Sequence, residues 1–335
     1  MRPLQPLSAW FTLLSAACVA APQWQGPLPT RNQHPAQLTV MQMAPAAARV
    51  LAAGASAARL DSAYSSLFLS GNSPGANWLM DGELLRTAAT VRHGLGSGLE
   101  VAAELPFAHA SGGFLDALLI DYHELFGFPD QNRDTTERDR FLVSARQNGN
   151  EVFGMEPHGV HLLDVPLWLT WQAVAPTEHG PGLALRTGLE LPSGDDGRGY
   201  GNGELDYSLG AVLEWRAAGI GWYGHAQHTF AGSPASARQF GFDFADVTTL
   251  GLAAELPLTN GLHAFAQLAW ENSTLRRLAV PAAERDQMLL WIGGRLRLDE
   301  QWAIEVAFGE DLIGKASPDF TAWLGVAWLP AAGGS

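Results

Sequence analysis

The chain has a single cysteine, Cys18, among 335 residues, and it lies in an N-terminal stretch expected to be removed. A disulfide, a thiolate metal site and a thiol nucleophile are therefore excluded from the mature chain. Positive charge is also scarce, with 20 Lys and Arg against 34 Asp and Glu and a formal net charge of −14. Phosphate backbones demand a cationic footprint, so nucleic acid is not an expected partner. No hydrophobic run after the N-terminus reaches the roughly 20 residues of a spanning helix. Any membrane crossing must then rest on alternating strands.

The N-terminus reads as an export signal over residues 1–21: Arg2 supplies positive charge, 7–19 is apolar, and 16–21 are small residues that suit a peptidase. Lipidation at Cys18 is the alternative, although Ser15 stands where a larger aliphatic residue is usual. Residues 22–56 are rich in Ala, Pro and Gln and read as an N-terminal periplasmic segment, with insertion into the barrel as the other placement. From 57 to 335 no linker or composition break divides the chain, so one domain is expected.

That domain alternates. Leu99, Val101, Ala103, Leu105 and Phe107 are apolar around Glu100 and Glu104, and Leu205, Tyr207, Leu209, Ala211, Leu213 and Trp215 repeat the pattern around Asp206, Ser208 and Glu214. Period-two stripes recur at 163–171, 250–258, 288–298, 302–308 and 320–328, placing one face in an apolar and one in a polar medium. A soluble sandwich would alternate too. Connection lengths decide against it: short links at 93–98, 216–219, 259–261 and 299–301 alternate with long polar ones at 109–159, 192–202, 231–246 and 273–285. Short turns on one side and long loops on the other mark outer-membrane barrels.

The expected fold is all-β, a single antiparallel transmembrane barrel of twelve strands near 58–69, 78–92, 99–108, 160–172, 183–191, 203–215, 219–230, 247–258, 261–272, 286–298, 301–311 and 319–329. Trp171, Trp215, Trp222, Trp302 and Trp328 then form a ring at the short-turn boundary, and Trp78, Phe230, Trp270 and Phe320 fall at the opposite one. In the excursion 109–159, Leu115, Leu118, Leu119, Tyr122 and Phe126 recur at helical spacing, and a hairpin is expected at Asn148-Gly149.

Several stretches resemble the bacterial family known as domain of unknown function 3187, an outer-membrane barrel family. They are Gly26-Pro27-Leu28-Pro29-Thr30-Arg31-Asn32-Gln33, Asp81-Gly82-Glu83, the run from Glu104-Leu105-Pro106-Phe107 through Ser111-Gly112-Gly113-Phe114-Leu115-Asp116 to His123-Glu124-Leu125-Phe126-Gly127, and Ser317-Pro318-Asp319-Phe320. The resemblance implies a barrel in the outer membrane of a Gram-negative bacterium and carries over no catalytic residues.

With the apolar stripes on lipid, the lumen-facing candidates are Asp164, Arg186, Glu190, Asp206, Glu214, His225, Gln227, Glu255, His263, Gln267, Arg295, Arg297 and Glu305. Such an interior suits either a narrow channel for small solutes or a lumen closed by its own salt bridges. Pairing Leu298 with Trp302 across a turn of Asp299-Glu300-Gln301 puts Arg295 opposite Glu305. His158 and His161, the Asp121-Tyr122-His123-Glu124 run and Ser193-Gly194-Asp195-Asp196-Gly197 contain metal-ligand residue types without a complete ligand set, so no cofactor is expected. A lipid hydrolase would need a nucleophile and base such as Ser233 with His228, and no flanking motif supports that pair. The expected partners are outer-membrane lipids and a small solute; a structural or surface-interaction barrel is the alternative.

Overall fold

The structure is a computed structural model that describes residues 24–116, 138–313 and 316–329. Twelve strands close a ring: β1 (Ser56–Ser73), β2 (Ala76–Gly96), β3 (Leu99–Ser111), β7 (Val165–Val174), β8 (Gly182–Leu191), β9 (Asp206–Ala217), β10 (Ile220–Phe230), β11 (Val247–Pro257), β12 (Leu262–Glu271), β13 (Gln287–Arg297), β14 (Trp302–Asp311) and β15 (Phe320–Trp328). Every neighbouring pair is antiparallel, and β1 closes on β15 with Ala58 opposite Trp328. Three short strands lie outside this ring: β4 (Leu142–Gln147), β5 (Asn150–Met155) and β6 (His161–Leu162).

The alternation explains the closure, because a barrel leaves no unpaired strand edge while each strand keeps opposite faces in opposite media. Leu60, Val91, Leu209, Ile292, Val306 and Leu324 stand outward and are about half exposed. Weak alternation in the first strand had no consequence for its pairing: β1 is ordered by two partners at once, β2 along its whole length and β15 over 58–66. It also runs on to Ser73, so β1 and β2 form one long hairpin closed at Pro74-Gly75. This tight turn at the long-loop end is an exception to the parity of loop lengths.

The expected strand 160–172 is instead two pieces, β6 and β7, broken at Leu163-Asp164. Both the neighbour and the loop above cause the break. Leu163 donates to the Pro106 carbonyl, and Pro106 has no N–H to return. The Asp164 carboxylate accepts Gly194 N–H at 2.8 Å and Asn202 N–H at 2.9 Å from the connection after β8.

The hairpin at Asn148-Gly149 is β4–β5, with both residues at positive φ, 52° and 81°, as a two-residue turn of this kind requires. β4 takes up the pairing of β2 at Ala76–Asp81, beyond the end of β3. The helix expected over 115–126 falls largely outside the described residues, as do the signal, Cys18 and the run 121–124.

At the short-turn end Trp215 stacks on Trp222 with centroids 6.2 Å apart, Trp302 lies opposite Trp328, and Trp171 and Trp302 are 47% and 44% exposed. Phe230, Trp270 and Phe320 lie at the other end, but Trp78 does not join them. It points inward, is buried, and stacks on His34 at 5.9 Å. The pairing of Trp78 with Gly71 fixes that parity.

Candidate functional site

The inward faces of the strands converge on a segment that is not part of the sheet. Residues 24–51 run through the interior of the ring, extended except for a short helix at Pro35–Leu38. Of the two placements for the N-terminal segment, the hydrogen bonds support insertion into the barrel over a separate periplasmic segment. Extended chain has unpaired N–H groups, and an ionised carboxylate only accepts, so inward acids and an inward strap satisfy each other.

The contacts follow the strap in order. Glu255 accepts Gly26 N–H at 3.2 Å, and Gln267 accepts Leu28 N–H at 2.6 Å while donating to the Leu28 carbonyl. Glu271 accepts Asn32 Nδ2 at 2.8 Å, Gln37 Nε2 at 2.7 Å and Gln42 Nε2 at 2.9 Å. Asp206 accepts Met41 N–H at 2.9 Å and Gln227 accepts Met43 N–H at 2.9 Å. Arg49 pairs with Glu214 at 2.9 Å, and Glu100 accepts Leu51 N–H at 2.8 Å. Strap side chains fill the remaining space: Leu28 packs with Phe265, Trp291 and Trp323, and Met41 and Met43 pack with Ala102 and Trp168. Burial pushes the His34 imidazole down to about 3, so it is neutral and adds no charge to the strap.

A charge cluster ties this interior to the wall. Arg295 donates from Nε to Glu305 at 2.5 Å and from Nη1 to the Gly26 carbonyl at 2.9 Å, with Glu255 at 3.8 Å. Arg59 pairs with the other oxygen of Glu305. Arg295 is directly opposite Glu305, and Leu298 N–H bonds to the Trp302 carbonyl across the three-residue turn. His263 donates from Nδ1 to the Glu255 carboxylate at 2.6 Å, and Tyr223 O–H donates to the same carboxylate at 2.5 Å.

The thirteen inward candidates are thus not equivalent. Arg186, Asp206, Glu214, Gln227, Glu255, Gln267 and Arg295 touch the strap, and Glu305 and His263 hold those that do. Asp164 is buried but spent on the loop after β8. Glu190 is buried opposite Asp206, and His225 is half-buried beside Gly251. Arg297 lies at the short-turn rim, where it donates to the carbonyls of Asp299 and Glu300. Sequence reasoning missed Arg59, Arg86, Arg92, Glu100, Glu104, Tyr223 and Glu271 as interior residues. Glu100 and Glu104 were visible as the polar positions of an alternating strand; Glu271 and Arg92 sit at strand ends, where periodicity fades.

Below the strap, at the short-turn end, lies a cavity of about 270 Å³ whose walls include Trp24, Pro45, Thr90, Arg92, Trp168 and Arg186.

Elsewhere, His228 pairs with Thr248 at 2.9 Å on the outer face, while Ser233 Oγ accepts Phe244 N–H, so base and nucleophile are not joined. His161 stacks on Tyr200 at 4.0 Å, and the described residues contain no group of three metal-ligating side chains.

The barrel is similar to a COG4313 outer membrane channel from Pseudomonas putida F1, at 11% identity and a TM-score of 0.55, covering 86% of this chain and 100% of that one. It is also similar to the translocator domain of the autotransporter NalP from Neisseria meningitidis, at 11% identity and a TM-score of 0.42, covering 83% and 89%. No curated protein matches. Residues 5–328 match one family throughout, and the chain belongs to it: the proteins of unknown function DUF3187.

Proposed function

We propose that this protein is an outer-membrane barrel that passes small solutes through its lumen, with the N-terminal strap setting how far that lumen is open. The carrying observation is how the strap is held. Residues 24–51 are fastened by hydrogen bonds from backbone N–H groups and from the side chains of Asn32, Gln37 and Gln42 to strand side chains, an arrangement that can be exchanged for water without unzipping the sheet. The apolar outer face and the tryptophans at the short-turn end support the lipid setting. The Pseudomonas putida barrel is described as an outer membrane channel, which supports the class.

The filled lumen favours a second reading, a static barrel acting only through its surface. Planar-bilayer conductance separates the two. The full chain should conduct weakly, and a chain lacking 24–51 that still migrates as a folded barrel on unheated gels should conduct several-fold more. A folded deletion variant that passes no ions would refute the channel. Fractionation of expressing cells should place the protein in the outer membrane; recovery as a soluble protein would refute the location.

A further inference from the structure

The cavity at the short-turn end is lined by four arginines, Arg49, Arg59, Arg92 and Arg186. Three of them are neutralised by the protein. Arg49 pairs with Glu214 at 2.9 Å, Arg92 grips Glu100 through Nε at 2.7 Å and Nη2 at 2.8 Å, and Arg59 pairs with Glu305. Glu104, the remaining acid in the wall, is paired with Arg86. Arg186 has no such partner among the described residues. Its side chain is 7% exposed, it makes one hydrogen bond, from Nη1 to the Ala44 carbonyl at 2.7 Å, and its Nε has none.

A buried guanidinium with one neutral acceptor is an unmet demand, because it has five donors and a charge that the interior solvates poorly. Its surroundings say what would meet that demand. The guanidinium lies 5.7 Å over the Trp168 ring, and Trp24 and Pro45 supply further apolar wall, while Thr170 stands directly across the strand pair. The ligand implied has one negative group able to take two parallel N–H bonds and an apolar body.

We propose that this cavity binds a small organic anion, a monocarboxylate on an aliphatic or aromatic body, with Arg186 holding the carboxylate. The proposal names a solute class for the interior and rests on the channel reading for the solute's route, but binding is measurable without transport. A carboxylate would sit beside Arg186 with its body on Trp168 and the strap. Both walls of the site, Arg186 on β8 and Ala44 on the strap, meet at the one hydrogen bond already present. Ligand and strap therefore share the same guanidinium, the strap on Nη1 and the carboxylate on the donors left free.

The test uses the purified full-length barrel in detergent, with hexanoate as probe and hexanamide as its uncharged counterpart. Trp24 and Trp168 provide a fluorescence signal, and calorimetry gives the affinity. Hexanoate should bind and hexanamide should bind at least about tenfold more weakly, the difference expected of a charged hydrogen-bonded pair. Arg186→Gln should weaken hexanoate by a similar factor and leave hexanamide unchanged, and Arg186→Lys should recover part of the loss. Since Arg186→Gln removes an unpaired buried charge, its folding should survive, and the gel shift of the unheated barrel checks this. Equal binding of acid and amide, hexanoate affinity unchanged in Arg186→Gln, or no hexanoate binding at all would each overturn the proposal. A barrel that binds hexanoate yet conducts nothing would instead leave the site standing and remove the channel.

Discussion

Glu305 is the sharpest point at which to perturb this interior. Its side chain is fully buried and both oxygens are engaged, Oε1 by Arg295 at 2.5 Å and Oε2 by Arg59. Opposite it on β15, Gly325 leaves room, for a Cβ there would come within 3.0 Å of Glu305 Oε2. In a hydrated lumen a cross-strand pair of this kind would contribute only about 0.2–1 kcal/mol. Burial changes the scale. Taking one partner from a buried pair leaves its counter-charge unmet and typically costs about 3–5 kcal/mol. Glu305→Gln leaves two guanidiniums facing an amide, but Arg295 keeps Glu255 at 3.8 Å and the Gly26 carbonyl at 2.9 Å. The lower end of the range applies, about 3 kcal/mol, or roughly a hundredfold in the folding equilibrium. Urea titration of the barrel refolded into detergent, read by gel mobility of unheated samples, measures it. The variant Glu305→Leu with Arg59→Met, Arg295→Met and Glu255→Gln should recover most of the loss, since replacement of a whole buried charge cluster by uncharged residues is often near neutral. A cost for Glu305→Gln under about 1 kcal/mol would show that water reaches the cluster and that the strap does not seal it.

Other interior contacts give shorter tests. Glu271→Ala removes the acceptor shared by Asn32, Gln37 and Gln42, so trypsin should cut the strap at Arg31 faster than in the parent, while the barrel itself stays resistant. Gly113 has φ +78°, and a Cβ there would overlap the Glu83 carboxylate that accepts Phe114 and Leu115 N–H; Gly113→Ala should therefore expose the segment 112–116 to protease without altering barrel heat-modifiability. His34 is held down to about 3 by burial, so on leaving the interior it gains a proton at any pH between that value and its ordinary 6.5. Strap docking should be complete above that upper value and weaken as pH falls below it. Proteolysis of the strap should be faster at pH 5 than at pH 7.5, and an unchanged difference in His34→Phe would remove histidine from the account.

The barrel was legible because lipid-facing sheets repeat every second residue and each strand repeats the lesson. Arg295 and Glu305 could be placed opposite each other from the turn length alone, since Leu298 and Trp302 both had to face outward. The failures cluster where a tertiary contact overrides local pattern. Trp78 has the composition of a boundary residue, but the pairing of β2 with β1 turns it inward onto His34. The break at Leu163-Asp164 depends on Gly194 and Asn202, some thirty residues away or more, and no window of sequence contains that information.

The strap was harder to see for a different reason. An extended segment inside a barrel needs neither helical nor strand periodicity, because its surroundings are polar on some sides and apolar on others without a fixed repeat. Its trace in the sequence lies elsewhere, in the partners it leaves behind. Inward acids on β9, β11 and β12, namely Asp206, Glu214, Glu255 and Glu271, outnumber the inward arginines of those strands, and each carboxylate has acceptor capacity that a sheet's own backbone cannot fill. In water such an excess would simply be hydrated. In a ring of twelve strands whose interior is occupied by chain, it calls for donors from that chain. The Pro-rich, Ala-rich stretch before β1 can provide them, since chain without a ladder of its own offers its N–H groups to whatever lies beside it. Where the donors are backbone N–H groups, at Gly26, Leu28, Met41, Met43 and Leu51, the fastening does not depend on the strap's side chains. It locates control in the wall acids, so substitutions at Asp206, Glu255 or Glu271 should open the interior more than substitutions of the alanines between Ala44 and Ala48.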